Sequence, residues 1–143
     1  MFRGNHPAKV DEKGRLKLPS AFKQLMDAQG ITQFYITSFD GKSAQIWPLP
    51  DWKELEEKLA AKIHDESIET LVNWSSFYGQ EVEIDSQSRL TLPQLLREEA
   101  KLTAEVAVMG KTKYVEVKNE EMLKQELAAR PVTAADRQRL ASL

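Results

Sequence analysis

The sequence predicts an α+β protein, rich in strand, built from two tandem copies of one small unit. The first observation behind this is internal repetition. Val10-Asp11-Glu12-Lys13-Gly14-Arg15-Leu16-Lys17-Leu18-Pro19 recurs 74 positions later as Ile84-Asp85-Ser86-Gln87-Ser88-Arg89-Leu90-Thr91-Leu92-Pro93. Asp, Arg, Leu, Leu and Pro keep their offsets, and Ile answers Val. Repetition at a fixed period decides architecture before local propensity does. The second is alternation with period two, as in Leu16-Lys17-Leu18, beside turn residues. The third is a set of helically spaced apolar stripes that follow those runs in the same order in both copies.

Each copy opens with a hairpin. Ala8-Lys9-Val10 leads in, Glu12-Lys13-Gly14 turns and Leu16-Lys17-Leu18 leads out. Gly14 tolerates the positive φ of a tight turn. Asp11 can accept backbone N–H bonds across the turn. Pro19 suits the first position of a short helix, whose Phe22, Leu25 and Met26 share one stripe and whose end falls at Gly30. Pro93 opens the matching segment, with Leu95, Leu96 and Ala100. Two strands follow: Phe34–Thr37 and Ala44–Trp47 around Asp40-Gly41, then Glu105–Val108 and Tyr114–Val117 around Gly110. A helix ends each copy, with Trp52, Leu55, Leu59 and Ile63 in the first and Met122, Leu123 and Leu127 in the second. Ile68, Leu71 and Val72 predict a connecting helix, and Thr133 caps a short last one before Leu143. The resulting division is a first repeat over 5–50, connecting helices over 51–78, a second repeat over 79–122 and a helical segment over 123–143.

Composition narrows the function classes. The chain has no Cys, which excludes disulfides and thiolate metal sites. No apolar run reaches the length of a membrane span, and Met1–Pro7 lacks the apolar stretch of a secretory signal. A cytoplasmic protein is expected. Net charge is −2, which taken whole argues against a polyanion partner. The distribution reverses that. Arg3, Lys9, Lys13, Arg15, Lys17 and Lys23 outnumber Asp11 and Glu12 by four within residues 1–24. Acids outnumber bases by four within residues 51–70. Surface fields are screened beyond about 8–10 Å at physiological salt, so an acidic protein can carry one attractive face.

The repeated Asp-x-x-x-Arg has two readings. An exposed pair across a turn contributes ~0–1 kcal/mol, so stability alone is a weak reason for it. Lys9, Lys13 and Lys17 would then be edge charges that discourage strand aggregation. The functional reading has Arg15 and Arg89 projecting toward a polyanion. An Arg fork can bond two acceptors on phosphate or on guanine. A two-stranded ribbon fits the major groove. Gly14 would let the backbone approach the duplex, while Asp11 and Asp85 would hold the turns and orient the Arg side chains.

Val-Asp-x-Lys-Gly-Arg-Leu-x-Leu-Pro resembles the hairpin of AbrB-like swapped-hairpin transcription factors. Two copies in one chain, preceded by Phe2-Arg3-Gly4, resemble the MraZ family of bacterial regulators from residue 1 to about residue 127. The resemblance implies a swapped-hairpin barrel with internal pseudo-two-fold symmetry, flanked by helices. It implies a ring-shaped homo-oligomer on the nucleoid, bound to double-stranded DNA at short repeated boxes. Those boxes lie ahead of the division and cell-wall gene cluster and of the regulator's own gene, where the family mostly represses. The DNA contacts it implies fall on Arg15 and Arg89, with Lys13, Gly14, Arg3 and Lys17 as the further residues of that surface. One departure stands out: Lys13-Gly14 in the first turn becomes Gln87-Ser88 in the second. Arg15 is therefore the stronger contact, and the second hairpin serves packing or phosphate positioning.

Other classes fit less well. The two histidines, His6 and His64, have no His or Cys neighbour, so no metal site is expected. No phosphate-binding glycine loop or nucleophile elbow occurs. Asp11 and Asp85 each have an Arg four residues on, which depresses a carboxyl pKa and suits acid–base catalysis poorly. No enzyme activity, catalytic residue or cofactor is expected. The alternative is a protein-interaction module of the swapped-hairpin antitoxin type. The fifteen residues after Ala128 are short for the arm such a module uses.

Overall fold

A computed structural model describes the whole chain, Met1–Leu143. The elements are β1 (Asn5–Val10), β2 (Arg15–Lys17), α1 (Ser20–Gln29), β3 (Gln33–Thr37), β4 (Ala44–Pro48), α2 (Leu49–Ala60) and α3 (Glu66–Phe77). Then come β5 (Gln80–Glu83), β6 (Arg89–Thr91), α4 (Gln94–Glu99), β7 (Ala104–Gly110), β8 (Val115–Asn119), α5 (Glu120–Ala129) and α6 (Ala134–Ala141). No helix is long and apolar enough to cross a membrane.

The eight strands form one antiparallel sheet in the order β5-β3-β4-β8-β7-β1-β2-β6. Its two end strands, β5 and β6, are joined by the second hairpin turn, so the sheet curls into a nearly closed barrel. The hairpins are exchanged between halves. β1 of the first hairpin pairs with β7 of the second repeat, and β5 of the second hairpin pairs with β3 of the first. Neither half therefore completes a sheet alone.

The register carries the pseudo-two-fold. β2 pairs with β6 as Arg15↔Thr91, Leu16↔Leu90 and Lys17↔Arg89. Leu16 thus faces its own repeat equivalent. Two further bonds obey the same symmetry: Leu18 N donates to the Ser88 carbonyl and Leu92 N to the Gly14 carbonyl, both at 2.9 Å. Across the barrel, β4 pairs with β8 around Gln45↔Glu116, a second self-equivalent position. The axis runs between these two ladders.

The core repeats as well. Leu16/Leu90, Leu18/Leu92, Phe22/Leu96, Phe34/Val106, Ile36/Val108 and Ile46/Val117 are all buried. α4 has six residues where α1 has ten. The second repeat is therefore shorter before β7, and the hairpin offset of 74 is not kept through the later strands.

Several local expectations shift by small physical amounts. Pro19 and Pro93 stand at the N-cap, with ψ of 141° and 132°, and the helices start one residue later. Pro48 does the same before α2. Ile63 lies beyond the end of α2. β7 runs through Gly110, where a Cβ would stand 2.1 Å from the Arg3 backbone N. The glycine thus serves close approach of the N-terminal segment, and the β7–β8 turn falls at Lys111–Tyr114. Thr133 caps α6 through a reciprocal capping box with Asp136.

Helices α2 and α5 pack outside the β3-β4 and β7-β8 strands. Trp52 of α2 stacks on Tyr35 with ring centroids 4.5 Å apart. Trp47 stacks on Tyr114 at 4.7 Å. The Tyr35 and Thr37 hydroxyls donate to the Ser75 carbonyl at 3.0 and 2.7 Å, which ties α3 to β3. Trp74 of α3 stays partly exposed.

Leu16→Ala and Leu90→Ala should each destabilise the protein by about 2–5 kcal/mol, because each opens a cavity at the closure of the barrel. Urea denaturation should give similar losses for the two, and the double variant should be non-additive because the side chains are neighbours.

Candidate nucleic-acid interface

The hairpin turns are built by their aspartates. Asp11 N donates to the Arg15 carbonyl at 3.0 Å, and Gly14 N to the Asp11 carbonyl at 2.9 Å. Asp11 Oδ1 accepts from Lys13 N at 3.0 Å and Arg15 N at 2.8 Å. Its Oδ2 accepts from Arg15 Nε at 2.7 Å. The second turn repeats this. Asp85 Oδ1 accepts from Gln87 N at 2.9 Å and Arg89 N at 2.8 Å, and Oδ2 from Arg89 Nε at 2.8 Å. One carboxylate thus folds the turn with one oxygen and aims the guanidinium with the other.

The aim leaves the useful end free. The Arg15 and Arg89 side chains are 28% and 26% exposed. Nε is engaged in each, while Nη1 and Nη2 have no protein partner and none of them is among the buried unsatisfied atoms. Each guanidinium presents an outer edge of donors to solvent, the edge a phosphate or a guanine would take.

The ladder brings the two hairpins together. Leu16 and Leu90 point into the barrel, so alternation puts Arg15, Lys17, Arg89 and Thr91 on its outer face. Arg15 and Arg89 are diagonal neighbours, a relation that separates residues by roughly 7–8 Å. Lys13 is exposed at the first bend, and Lys17 lies opposite Arg89. The acidic residues Asp51, Glu54, Glu56 and Glu57 belong to α2, which packs on β3 and β4, away from this ladder. The charge separation along the chain is thereby a separation across the barrel.

Two other expected residues are placed differently. Arg3 is exposed beside Gly110, at the Asn5↔Met109 end of the β1–β7 pair, whereas the hairpin bend follows Val10 at the other end. About 25 Å of extended chain lies between them. Within one chain Arg3 is not part of the ladder surface. Gly14 is buried, not open. Its φ is 78°, and a Cβ there would stand 2.2 Å from Arg97 Cζ. The glycine takes the positive φ of the bend without strain and leaves room for the guanidinium lying on it, so it does not stand open toward a duplex. Ser88 holds the same bend with a φ of 62° despite its side chain. The loss of glycine in the second turn therefore leaves the hairpin geometry intact.

Arg97 escaped the sequence reading. The available signal was the Gly14-to-Ser88 difference between two turns of equal length. His6 lies in β1 with its ring crossed against that of Phe22, centroids 4.7 Å apart, a packing contact. No cluster of three or more His, Cys, Asp or Glu side chains is arranged to hold a metal ion.

Both turn aspartates have a pKa held below the ordinary value. The main cause is the backbone N–H bond from Arg15 or Arg89, opposed by partial desolvation and reinforced by the guanidinium. A folded-state pKa below the unfolded one gives stability that is complete above the unfolded value, about 3.9. That stability is lost as pH falls through the folded value. Carboxyl carbon NMR should show Asp11 and Asp85 titrating below the ordinary aspartate value. Hairpin order should be constant at neutral pH and fail only in acid.

Comparison with known proteins fits this geometry. The family model described as "MraZ protein, putative antitoxin-like" matches residues 1–73 and 78–140. The chain is 50% identical over 142 residues to the transcriptional regulator MraZ of Acidobacterium capsulatum, covering 99% of this chain and 97% of that one. It is 48% identical over 145 residues to the transcriptional regulator MraZ of Koribacter versatilis, covering 100% and 99%. A third relative of the same description, from Thiobacillus denitrificans, is 31% identical over 84% of this chain and 82% of its own.

Proposed function

Because the chain belongs to the MraZ family, we propose that it is a transcription regulator that binds double-stranded DNA through the outer face of the β2–β6 ladder. The reading rests most on the register Lys17↔Arg89 and Arg15↔Thr91, with both guanidinium edges free. Arg15 and Arg89 are the base or phosphate contacts. Lys13 and Lys17 add positive charge at the backbone, and Asp11 and Asp85 orient rather than touch. The relatives carry the name of regulators, not of enzymes.

The ladder is small, and a few phosphate contacts give non-specific affinities of only about 10⁻⁴–10⁻⁶ M. A ring-shaped homo-oligomer would set several identical ladders along the duplex. Avidity then gains about 10²–10⁴ where their spacing fits. Repeated subunits call for repeated short DNA boxes. Those boxes lie in the promoter of the division and cell-wall gene cluster and of the protein's own gene. There the protein acts mainly as a repressor and resides on the nucleoid.

In mobility-shift titrations on the region upstream of its own gene, Arg15→Ala should lower specific affinity at least about tenfold, one bidentate contact's worth. Circular dichroism and sedimentation should stay as in the wild type. Arg89→Ala should cost less, and an undiminished affinity for Arg15→Ala would refute the assignment. Lys13→Gln should instead weaken binding to all duplexes alike and flatten the salt dependence by about one unit.

A further inference from the structure

Arg97 of α4 is a cation the function above does not use. A Cβ built on Gly14 would lie 2.2 Å from its Cζ, 2.3 Å from Nη1 and 2.4 Å from Nε. Three such similar distances place the flat face of the guanidinium on the Gly14 Cα. The first hairpin bend and an arginine of the second repeat are thus stacked together. Nε is buried there with no hydrogen-bond partner. Nη1 and Nη2 have no protein partner either, and they are not among the buried unsatisfied atoms.

Nothing in the chain neutralises this charge. Arg97 forms no ion pair. Its helix neighbour Glu98 is held instead by Gln94 Nε2 at 3.1 Å. The residue four positions on is Lys101, not an acid. The repeat counterpart behaves oppositely. Lys23, 74 positions earlier, bonds Asp27 one helical turn on. The bend that corresponds to Gly14 is Ser88, which carries a Cβ at the same sign of φ.

From this we infer that Arg97 supplies a further phosphate contact beside Lys13 and Arg15, so that the two hairpins of one ladder bind duplex DNA unequally. The inference rests on the DNA-binding reading above. An arginine stacked on backbone keeps its orientation without an acid partner, and a phosphate is the ligand its planar fork fits. The phosphate would approach the open Nη edge. The second hairpin, with Gln87 for Lys13 and a neutralised Lys23, offers no such cluster.

The test is the salt dependence of duplex binding by the full chain, read by fluorescence anisotropy on promoter and unrelated DNA. Arg97→Met should flatten the log–log salt slope by about one unit per bound protomer, equally on both duplexes. Arg97→Lys should restore the slope, and Lys23→Met should leave it unchanged. Arg97→Gln replaces the Met variant if circular dichroism shows that variant unfolded. A wild-type slope in Arg97→Met, a Lys variant as impaired as the Met one, or an equal fall in Lys23→Met would overturn the inference. Loss of binding in Arg15→Ala with a normal Arg97→Met would leave the ladder reading standing and remove Arg97 alone. Wild-type protein without salt-dependent binding would remove both.

Discussion

The antiparallel pairing of β2 with β6 in the register Leu16↔Leu90 governs the rest of this structure. It brings the two repeats together at the closure of the barrel. It sets the axis on which the halves are equivalent. It also decides which side chains face outward. A slip of one residue would move every side chain of the strand to the opposite face. Arg15 and Lys17 would then enter the core, and Leu16 would meet water. The burial of both leucines therefore fixes the position of the cations. Two fully buried Leu side chains contribute about 1.5–3 kcal/mol each by transfer alone, which makes the slipped register costly.

Within that frame the two hairpins share a backbone and differ in chemistry. Each bend is organised by an aspartate with one oxygen on backbone N–H groups and the other on an arginine Nε. Such an arrangement is a poor source of stability, since solvent screens ion pairs that water can reach. It is a good way to hold a guanidinium still. Ordering the side chain beforehand lowers the entropy lost when a ligand binds. The bends then diverge at the next shell: Gly14 lies under Arg97, while Ser88 keeps the same sign of φ with a side chain of its own.

The charge pattern reconciles a net charge of −2 with the polyanionic partner proposed above. The acids of α2 sit on the side of the barrel covered by that helix, and the basic ladder is on the other. Screening over about 8–10 Å makes the local face matter more than the total. The acidic side repels a polyanion by like charge.

What the sequence determined by itself is local and repetitive. The duplicated motif, the period-two runs, the helical stripes and the turn residues are all readable because each depends on neighbours within a few positions. The Asp11–Arg15 and Asp85–Arg89 clamps are legible for the same reason, as i,i+4 pairs across a bend. The family resemblance added the exchange of hairpins, which spacing could not supply. Tertiary structure decided the rest. Lys17 meets Arg89, Arg97 lies on Gly14, and Arg3 is carried to the far end of β1. These relations join residues 72 to 107 positions apart, or separate ones only twelve apart. They follow from how the sheet closes on its core, and a linear pattern holds no record of which strands will be adjacent once it has closed.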